Sequence, residues 1–226
     1  MGIDPAESTA VVIGATGSIG SACARIIAPK VKRLVLVARN NTRLSKFYES
    51  VKGELPCEIS FTTDVSEAVR QSQLILTATS STHDIIQPED LQTGVVVCEL
   101  SLPHDVSRRV ADERPDVLVI EGGNMIVPGH PLFERVREPG TEFDLNLPPR
   151  TALACMSETM VLALNNRLEP YTLGRGIDLN KVLEIEQMAD AAGFKLAGMR
   201  AFDAAITPED VASRRRAAEA RRKVAV

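Results

Sequence analysis

Apolar and polar positions follow two different periods along the first two thirds of the chain. Short apolar, β-branched runs predict six buried parallel strands, at Ala10–Ile13, Leu34–Val37, Glu58–Phe61, Leu74–Thr77, Val95–Cys98 and Val117–Ile120. Stretches with helical periodicity predict helices at Ser18–Ala28, Thr42–Val51 and Ser66–Arg70. Alternating strands and helices predict an α/β fold, in which right-handed crossovers build a doubly wound parallel sheet. Ligands of such sheets bind at the carboxyl ends of the strands.

The pattern changes after Pro148-Pro149. Thr151–Asn165 predicts an apolar helix, and Asp178–Ala192 predicts an amphipathic helix with Asp178 as its N-cap and Gly193 just beyond its end. We therefore predict an α/β domain over residues 1–170 and a C-terminal helical segment over residues 171–226. The segment ends in basic runs at residues 214–216 and 221–223, which are typical of a solvated helix or a frayed tail; a partner-docking patch is the alternative.

A glycine-rich turn, Gly14-Ala15-Thr16-Gly17-Ser18-Ile19-Gly20, follows the first predicted strand and opens the first helix. Gly14 permits a tight turn, Gly17 lets the backbone approach phosphates, and Gly20 lets the helix and strand pack closely. The helix N-terminus offers N–H groups and the positive end of its dipole to an anion. The sequence therefore predicts a Rossmann-type domain that binds a dinucleotide.

The end of the second predicted strand indicates which dinucleotide is bound. An NAD-selective site usually has an acidic residue there for the ribose 2′-hydroxyl, whereas this chain has Arg39, Asn40 and Arg43. Two guanidiniums one helical turn apart can clamp a 2′-phosphate through charge-assisted hydrogen bonds. Arg43 could instead simply face water on the following helix. We predict that the cofactor is NADPH.

Three segments follow the later strands and should border the cofactor: Thr77–Ser81, Leu100–Asp105 and Glu121–Asn124. Their small residues, Pro103 and the pair Gly122-Gly123 suit a nicotinamide ring close to the backbone, although turns between elements use the same residue types. The predicted cofactor-binding residues are Gly14, Thr16, Gly17, Ser18, Ile19, Gly20, Arg39, Asn40, Arg43, Asp64, Thr79, Ser80, Leu102 and Gly123.

Two other residue patterns could carry chemistry. Tyr48 and Lys52 match the Tyr-x-x-x-Lys pair of short-chain dehydrogenases, but they lie on the helix beside the adenine half of the cofactor, so we exclude them. Cys155 lies early in the predicted helix Thr151–Asn165, where a helix N-terminus favours a nucleophilic thiolate. Its neighbours Ala, Leu and Met instead favour a buried core residue, and Glu158 one turn on would oppose a thiolate or share its proton.

Composition narrows the remaining function classes. A chain of 226 residues with 44% hydrophobic and 25% charged residues is typical of a globular domain. No apolar run is long enough to cross a bilayer and no signal-peptide layout is present, so we expect a cytoplasmic protein. The net charge of −4 predicts no general attraction to nucleic acid. The scattered cysteines and histidines predict neither disulfides nor a metal site; they are Cys23, Cys57, Cys98, Cys155, His83, His104 and His130.

The C-terminal part of the chain resembles a known enzyme family. The block Thr151–Met160, followed by Tyr171–Arg175 and Gly193–Lys195, is similar to the C-terminal half of long-chain acyl-(acyl-carrier-protein) reductases. The glycine turn, Ala38–Asn40 and Gly122-Gly123 also fit that family, and the likeness spans Thr9 to Phe202.

The resemblance implies a reaction. Members of the family transfer a fatty acyl chain from a carrier-protein thioester to a cysteine and reduce the enzyme thioester with NADPH to an aldehyde. Cys155 is then the implied catalytic nucleophile, because covalent thioester chemistry requires such a thiol. The implied partner is acyl-carrier protein or acyl-CoA. The family has a substrate-binding domain before its glycine loop, so we expect this chain to be the cofactor half of a two-part enzyme.

Two alternatives to a thioester reductase stay open at this stage, and one further local resemblance accompanies them. The segment Leu100–Pro103 also resembles a loop of glutamyl-tRNA reductases, whose nucleophile lies in an N-terminal domain not found in this chain. A shikimate-dehydrogenase-like oxidoreductase of a small carbonyl compound or hydroxy acid would need a Lys–Asp pair from a preceding domain. A non-catalytic NADP(H)-binding module is the third possibility. Each is compatible with a homo-oligomer.

Overall fold

The structure is a computed structural model that describes residues 1–129, 147–174 and 176–224. The chain divides into two compact units. Unit 1 comprises Met1–Gly122, Gly174–Ile177 and Met199–Val226, and unit 2 comprises Gly123–Leu173 and Asp178–Gly198. The predicted boundary at residue 170 does not coincide with these divisions, because the chain after Met199 packs with unit 1.

Unit 1 is built on a six-stranded parallel sheet, which confirms the predicted α/β fold. Its strands are β1 Thr9–Ile13, β2 Arg33–Val37, β3 Glu58–Thr62, β4 Leu74–Thr77, β5 Val96–Glu99 and β6 Leu118–Glu121. They lie in the order β3-β2-β1-β4-β5-β6. The strand order reverses between β1 and β4, so the topological switch point lies at the carboxyl ends of these two strands.

Four helices connect the strands: α1 Ser18–Ile27, α2 Asn41–Val51, α3 Val65–Arg70 and α4 Arg109–Glu113. The first three agree with the prediction to within one residue at either end. Polar caps explain where α2 and α3 begin. The side chain of Asn40 accepts a hydrogen bond from Arg43 N at 2.9 Å, and Asp64 accepts one from Glu67 N at 2.9 Å.

Both faces of the sheet are covered, because successive side chains of the central strands enter different clusters. On β1, Val11 and Ile13 belong to one buried cluster, whereas Ala10 and Val12 belong to the other. The prediction of six buried strands is wrong for β3, whose residues are exposed or half-buried. The reason is its position at the edge of the sheet, where the described residues provide a neighbouring strand, β2, on one side only.

The described residues of unit 2 form a small antiparallel sheet and two helices. Its elements are β7 Asn124–Ile126, β8 Thr151–Leu153, α5 Ala154–Leu164, α6 Leu179–Ala191 and β9 Lys195–Leu196. The prediction of one helix over Thr151–Asn165 is wrong in its first three residues, because Thr151–Leu153 pairs with β7. The N-cap Asp178 and the turn at Gly193 (φ +86°) agree with the prediction for α6.

The C-terminal residues of unit 1 form the hairpin β10 Arg200–Ala201 and β11 Ala204–Ala205, followed by the helix α7 Pro208–Val224. The prediction of a merely solvated basic tail is wrong for one side of α7. Ala218 is buried, Arg221 binds the carboxylate of Asp116 at 3.1 Å, and Arg222 donates to the Thr93 carbonyl at 3.3 Å. These contacts hold α7 against the rest of unit 1.

We expect Asp116→Ala to destabilise unit 1 by about 3 kcal/mol, because it leaves the charge of buried Arg114 without its carboxylate. Burial alone would raise the pKa of Asp116, but the hydrogen bonds and charge of Arg114, with Arg221, hold it below its ordinary value. The stabilisation is therefore present at neutral pH and is lost as the pH falls through that lowered pKa.

Urea denaturation of the wild type and the variant at several pH values measures this difference. The matched control is Arg221→Ala, which removes the exposed partner of the same carboxylate. It should lower the free energy of unfolding by less than about 1 kcal/mol. A loss for Asp116→Ala that does not shrink in acid would contradict the prediction.

Candidate functional site

The glycine turn after β1 is held between two neighbouring strands. Gly14 N and Ala15 N both donate to the Val37 carbonyl of β2, at 2.9 and 3.0 Å, and Ala78 N donates to the Ile13 carbonyl at 3.0 Å. Gly14 has φ +83°, and a Cβ at this position would lie 2.2 Å from the Ala78 carbonyl oxygen. The turn therefore requires glycine both for its conformation and for its space.

The other two glycines of the turn shape the start of α1. Gly17 is the N-cap of α1 and provides no side-chain hydrogen bond, so the N–H groups of the first turn are left for another acceptor. A Cβ on Gly20 would lie 2.2 Å from the Gly14 carbonyl oxygen, so only glycine permits this packing of helix against turn. Free N–H groups beside a bare backbone fit a pyrophosphate.

A cavity of about 430 Å³ lies at the carboxyl ends of the strands around this turn. The predicted cofactor residues in its lining are Gly14, Thr16, Gly17, Ser18, Arg39, Asn40, Arg43, Thr79 and Ser80. Ala78 and Ser81 also line it and lie in the segment Thr77–Ser81 that the sequence predicts to border the cofactor. Sequence reasoning missed the other six lining residues, which are Ile13, Val37, Ala38, Thr63, Val65 and Ile85. Thr63 follows β3, so the rule on carboxyl ends that selected Thr79 and Ser80 could have found it too.

Five predicted cofactor residues are not part of this lining. Gly20 packs behind the turn, and the side chain of Ile19 is exposed on α1. Asp64 caps α3 with its carboxylate, Leu102 is exposed after β5, and Gly123 lies in unit 2. Their cofactor contacts therefore stay predictions.

Arg39 and Arg43 place positive charge at the β2 end of the cavity. Arg39 follows β2, and Arg43 lies in the first turn of α2 because Asn40 caps that helix through the Arg43 N–H. Both side chains are exposed. The cavity thus combines two guanidiniums with the positive end of a helix, an arrangement that favours a bound anion.

A buried carboxylate organises the β4 side of the cavity. Asp105 is fully buried and accepts hydrogen bonds from Thr77 Oγ1, Ser101 Oγ and, at 2.6 Å, Thr79 Oγ1. Ser101 Oγ also accepts from Thr79 N at 2.8 Å. This network connects the loops that follow β4 and β5, and Thr79 belongs to the cavity lining.

A second buried carboxylate, Glu99, ends β5. Its Oε2 lies 3.0 Å from Nδ1 of His104, while Oε1 accepts hydrogen bonds from the backbone N–H groups of Asp105 and Val106. Burial raises the pKa of Glu99, and these bonds and the neighbouring His104 partly oppose the rise. Sequence reasoning assigned no role to either side chain.

The predicted nucleophile Cys155 lies in unit 2, as the second residue of α5. Its side chain is exposed, so the expectation of a core residue from its apolar neighbours is wrong; the first turn of α5, Ala154–Met156, is exposed as a whole. Glu158 lies one turn further on and is half-buried. Cys23, Cys57 and Cys98 are free thiols that are each half-buried.

The Tyr48 and Lys52 pair, the histidines and Arg175 lie outside the cavity lining or outside the described residues. Tyr48 contacts the ring of Phe61 at 4.9 Å between centroids, Lys52 pairs with Glu49, and neither lines the cavity. Within residues 1–129, 147–174 and 176–224, no cluster of three possible metal ligands occurs. His130 and Arg175 lie outside these ranges. None of the described helices is long and apolar enough to span a membrane.

Comparison with known proteins identifies relatives of this chain. The aminotransferase PigE of Serratia sp. is 30% identical over 196 residues, which cover 85% of this chain and 22% of PigE. The long-chain acyl-(acyl-carrier-protein) reductase of Synechococcus elongatus is 28% identical over 201 residues, 86% of this chain and 55% of the reductase. Glutamyl-tRNA reductase of Corynebacterium efficiens is 26% identical over 121 residues, 50% of this chain and 26% of that enzyme.

The chain thus spans between about a fifth and about half of the length of these relatives. A family model described as shikimate / quinate 5-dehydrogenase matches residues 3–121, which contain all six strands of the parallel sheet and the whole cavity lining. The chain therefore belongs to the shikimate/quinate 5-dehydrogenase family and has the NAD(P)-binding domain of an oxidoreductase.

Proposed function

We propose that this chain uses NADPH to reduce acyl thioesters to aldehydes, with Cys155 as the nucleophile that holds the acyl group. The observation that carries the proposal is the exposed thiol in the first turn of α5, in a chain that also has an NAD(P)-binding domain. The similarity to a long-chain acyl-(acyl-carrier-protein) reductase over 86% of this chain supports it. Acyl-carrier protein and acyl-CoA are the proposed acyl donors.

The proposed chemistry has two steps. Cys155 attacks the thioester carbonyl of the donor, and the donor thiol leaves, so that the acyl group is held on Sγ. NADPH, when bound, supplies the hydride that converts this thioester into an aldehyde. Ala154 N already donates to the Gly123 carbonyl at 2.6 Å. The other first-turn N–H groups of α5 have no acceptor within the helix, so they are suited to the negative charge that develops on the carbonyl oxygen when Cys155 attacks the donor.

The test is to incubate the 226-residue chain with acyl-CoA or acyl-carrier protein and to measure its intact mass. We expect one added acyl group, and we expect NADPH to remove it with release of one equivalent of aldehyde. Wild-type protein that acquires no acyl group from either donor would overturn the proposed mechanism.

The preference for NADPH is tested by Arg39→Ala. Loss of a charge-assisted contact to the 2′-phosphate should weaken NADPH binding about tenfold or more and leave NADH binding nearly unchanged. Titration of nicotinamide fluorescence measures both affinities. The matched control is Arg33→Ala, which removes an exposed arginine from the opposite end of β2, where it pairs with Glu58. Equal losses for the two cofactors would contradict the 2′-phosphate clamp.

Family membership favours a second candidate function, oxidation or reduction of a small hydroxy acid or carbonyl compound. The same protein would then reduce NADP⁺ in the presence of shikimate or quinate and would acquire no acyl group. A protein that binds NADPH but converts neither class of substrate would instead be a binding module.

A further inference from the structure

The carboxyl edge of the sheet changes character from one side to the other. Strand register places Val37, Ile13, Thr77, Glu99 and Glu121 in one row across β2, β1, β4, β5 and β6. The row is apolar beside the glycine turn and acidic at β5 and β6. Burial of a charged carboxylate without a hydrogen-bond partner destabilises a protein, and Glu99 is buried. The groups that bind its two carboxylate oxygens therefore indicate what the side chain does.

Glu99 is arranged to orient an imidazole. Its side chain is only 1% exposed, and two backbone N–H groups hold Oε1 in place, which leaves Oε2 for His104 Nδ1 at 3.0 Å. A carboxylate accepts hydrogen bonds, so Nδ1 of His104 bears hydrogen and Nε2 is the nitrogen left to exchange a proton. The His104 side chain is 39% exposed, so an outside molecule can reach it.

The loop that contains His104 follows β5 at the carboxyl edge of the sheet, on the side where the reacting half of a bound dinucleotide is expected. The glycine turn accommodates the pyrophosphate, and Arg39 lies on the β2 side, so the nicotinamide half extends to the β4 and β5 side. His104 lies in the loop after β5, between Ser101 and Asp105. Both of these neighbours hydrogen-bond to Thr79, which lines the cavity.

We infer that His104 is the acid and base that exchanges a proton with the carbonyl oxygen during reduction, and that Glu99 is the residue that positions it. The inference rests on the proposed function. When hydride adds to the carbonyl carbon of the thioester, the C–O π electrons move to oxygen, and Nε2–H of the imidazolium donates its proton there. As the aldehyde C=O forms and the C–S bond breaks, the hydroxyl proton returns to Nε2 and the sulfur leaves as a thiolate.

The kinetic test is His104→Ala in a single turnover of acylated protein with NADPH. We expect a rate about 10²–10⁴-fold below that of the wild type, with unchanged NADPH affinity and unchanged acylation of Cys155. Imidazole added to the buffer should restore part of the rate, which it would not do if His104 had only a structural role. The matched control is His83→Ala, which removes an exposed histidine from the loop after β4 and should leave the rate unchanged.

A second measurement requires neither NADPH nor turnover. We expect ¹⁵N NMR of the wild type, recorded at a pH at which the imidazole is neutral, to show the ring hydrogen of His104 on Nδ1. In Glu99→Gln the amide can donate to Nδ1, so the hydrogen of the neutral ring should move to Nε2. Thermal melting identifies any variant that fails to fold, and the half-exposed position of His104 keeps the alanine variant informative.

The outcomes separate the two proposals. Wild-type protein that forms aldehyde while His104→Ala reacts at the same rate would overturn the inference alone, as would a wild-type imidazole whose hydrogen lies on Nε2. Wild-type protein that neither acquires an acyl group nor consumes NADPH would overturn the proposed function and this inference with it.

Discussion

Replacement of Cys155 by serine is expected to abolish the acyl adduct and to lower aldehyde formation by at least about 10³-fold, because removal of a nucleophile eliminates the covalent route. NADPH affinity should not change, because Cys155 is not among the residues that line the cavity. The exposed position of the side chain should also make the change nearly neutral for stability.

The other thiols of the chain provide the contrast. Burial raises the pKa of Cys23 and of Cys98, which favours the unreactive thiol form at neutral pH. Burial also raises the pKa of Cys57, which is half-buried before β3. Limited alkylation with iodoacetamide should therefore modify Cys155 first.

Intact mass after exposure to acyl-CoA, together with trapping of the aldehyde by a hydrazine, measures both parts of this prediction. Cys57→Ser is the matched control and should keep the adduct and the rate. Aldehyde formed by Cys155→Ser at the wild-type rate would exclude the thioester on Cys155 and direct attention to hydride transfer to a free carbonyl substrate.

Local signals explain why so much of unit 1 could be predicted from the sequence. Each strand is a short apolar run, and the turn between β1 and α1 has its glycines at the positions that a dinucleotide site requires. The exposed edge strand β3 was harder, because its place at the edge depends on the order of strands and not on its own residues.

The errors in the C-terminal part arise from partners distant in sequence. Thr151–Leu153 has the composition of a helix and becomes a strand only because β7 pairs with it. Arg221 belongs to a charged run typical of a solvated helix, and the carboxylate that binds it is 105 residues away. Single-sequence patterns do not contain such pairings.

In the candidate site, too, residues close together in sequence could be predicted, whereas contacts between separate loops could not. Arg39 and the glycine turn lie within one strand–helix unit, so spacing alone could suggest them. Asp105 connects the loops after β4 and β5 through Thr79 and Ser101, and its role emerges only when those loops are brought together. The pairing of His104 with Glu99 likewise depends on how the loop after β5 folds back on the strand end.

Gly14→Ala is expected to destabilise unit 1 by about 2–5 kcal/mol and to weaken NADPH binding more than tenfold. The left-handed φ of +83° costs an alanine about 1–2 kcal/mol, and the contact of its Cβ with the Ala78 carbonyl, 2.2 Å without relaxation, costs about 1–3 kcal/mol more. Relief of that contact must move the turn or the end of β4, and both line the cavity. Stability and cofactor affinity should therefore fall together.

Substitutions at two further glycines distinguish the cost of the left-handed backbone conformation from the cost of the Cβ contact. Gly174 has φ +78° and no described atom within 4 Å of a Cβ, so Gly174→Ala should show the conformational cost alone, about 1–2 kcal/mol, with normal NADPH affinity. Gly53 has neither a positive φ nor a neighbour among the described atoms, so Gly53→Ala should be neutral or slightly stabilising. Urea denaturation and NADPH fluorescence measure the series. If Gly14→Ala loses no more than Gly174→Ala in either measurement, the turn has room for a side chain and is not the close-fitting pyrophosphate site described above.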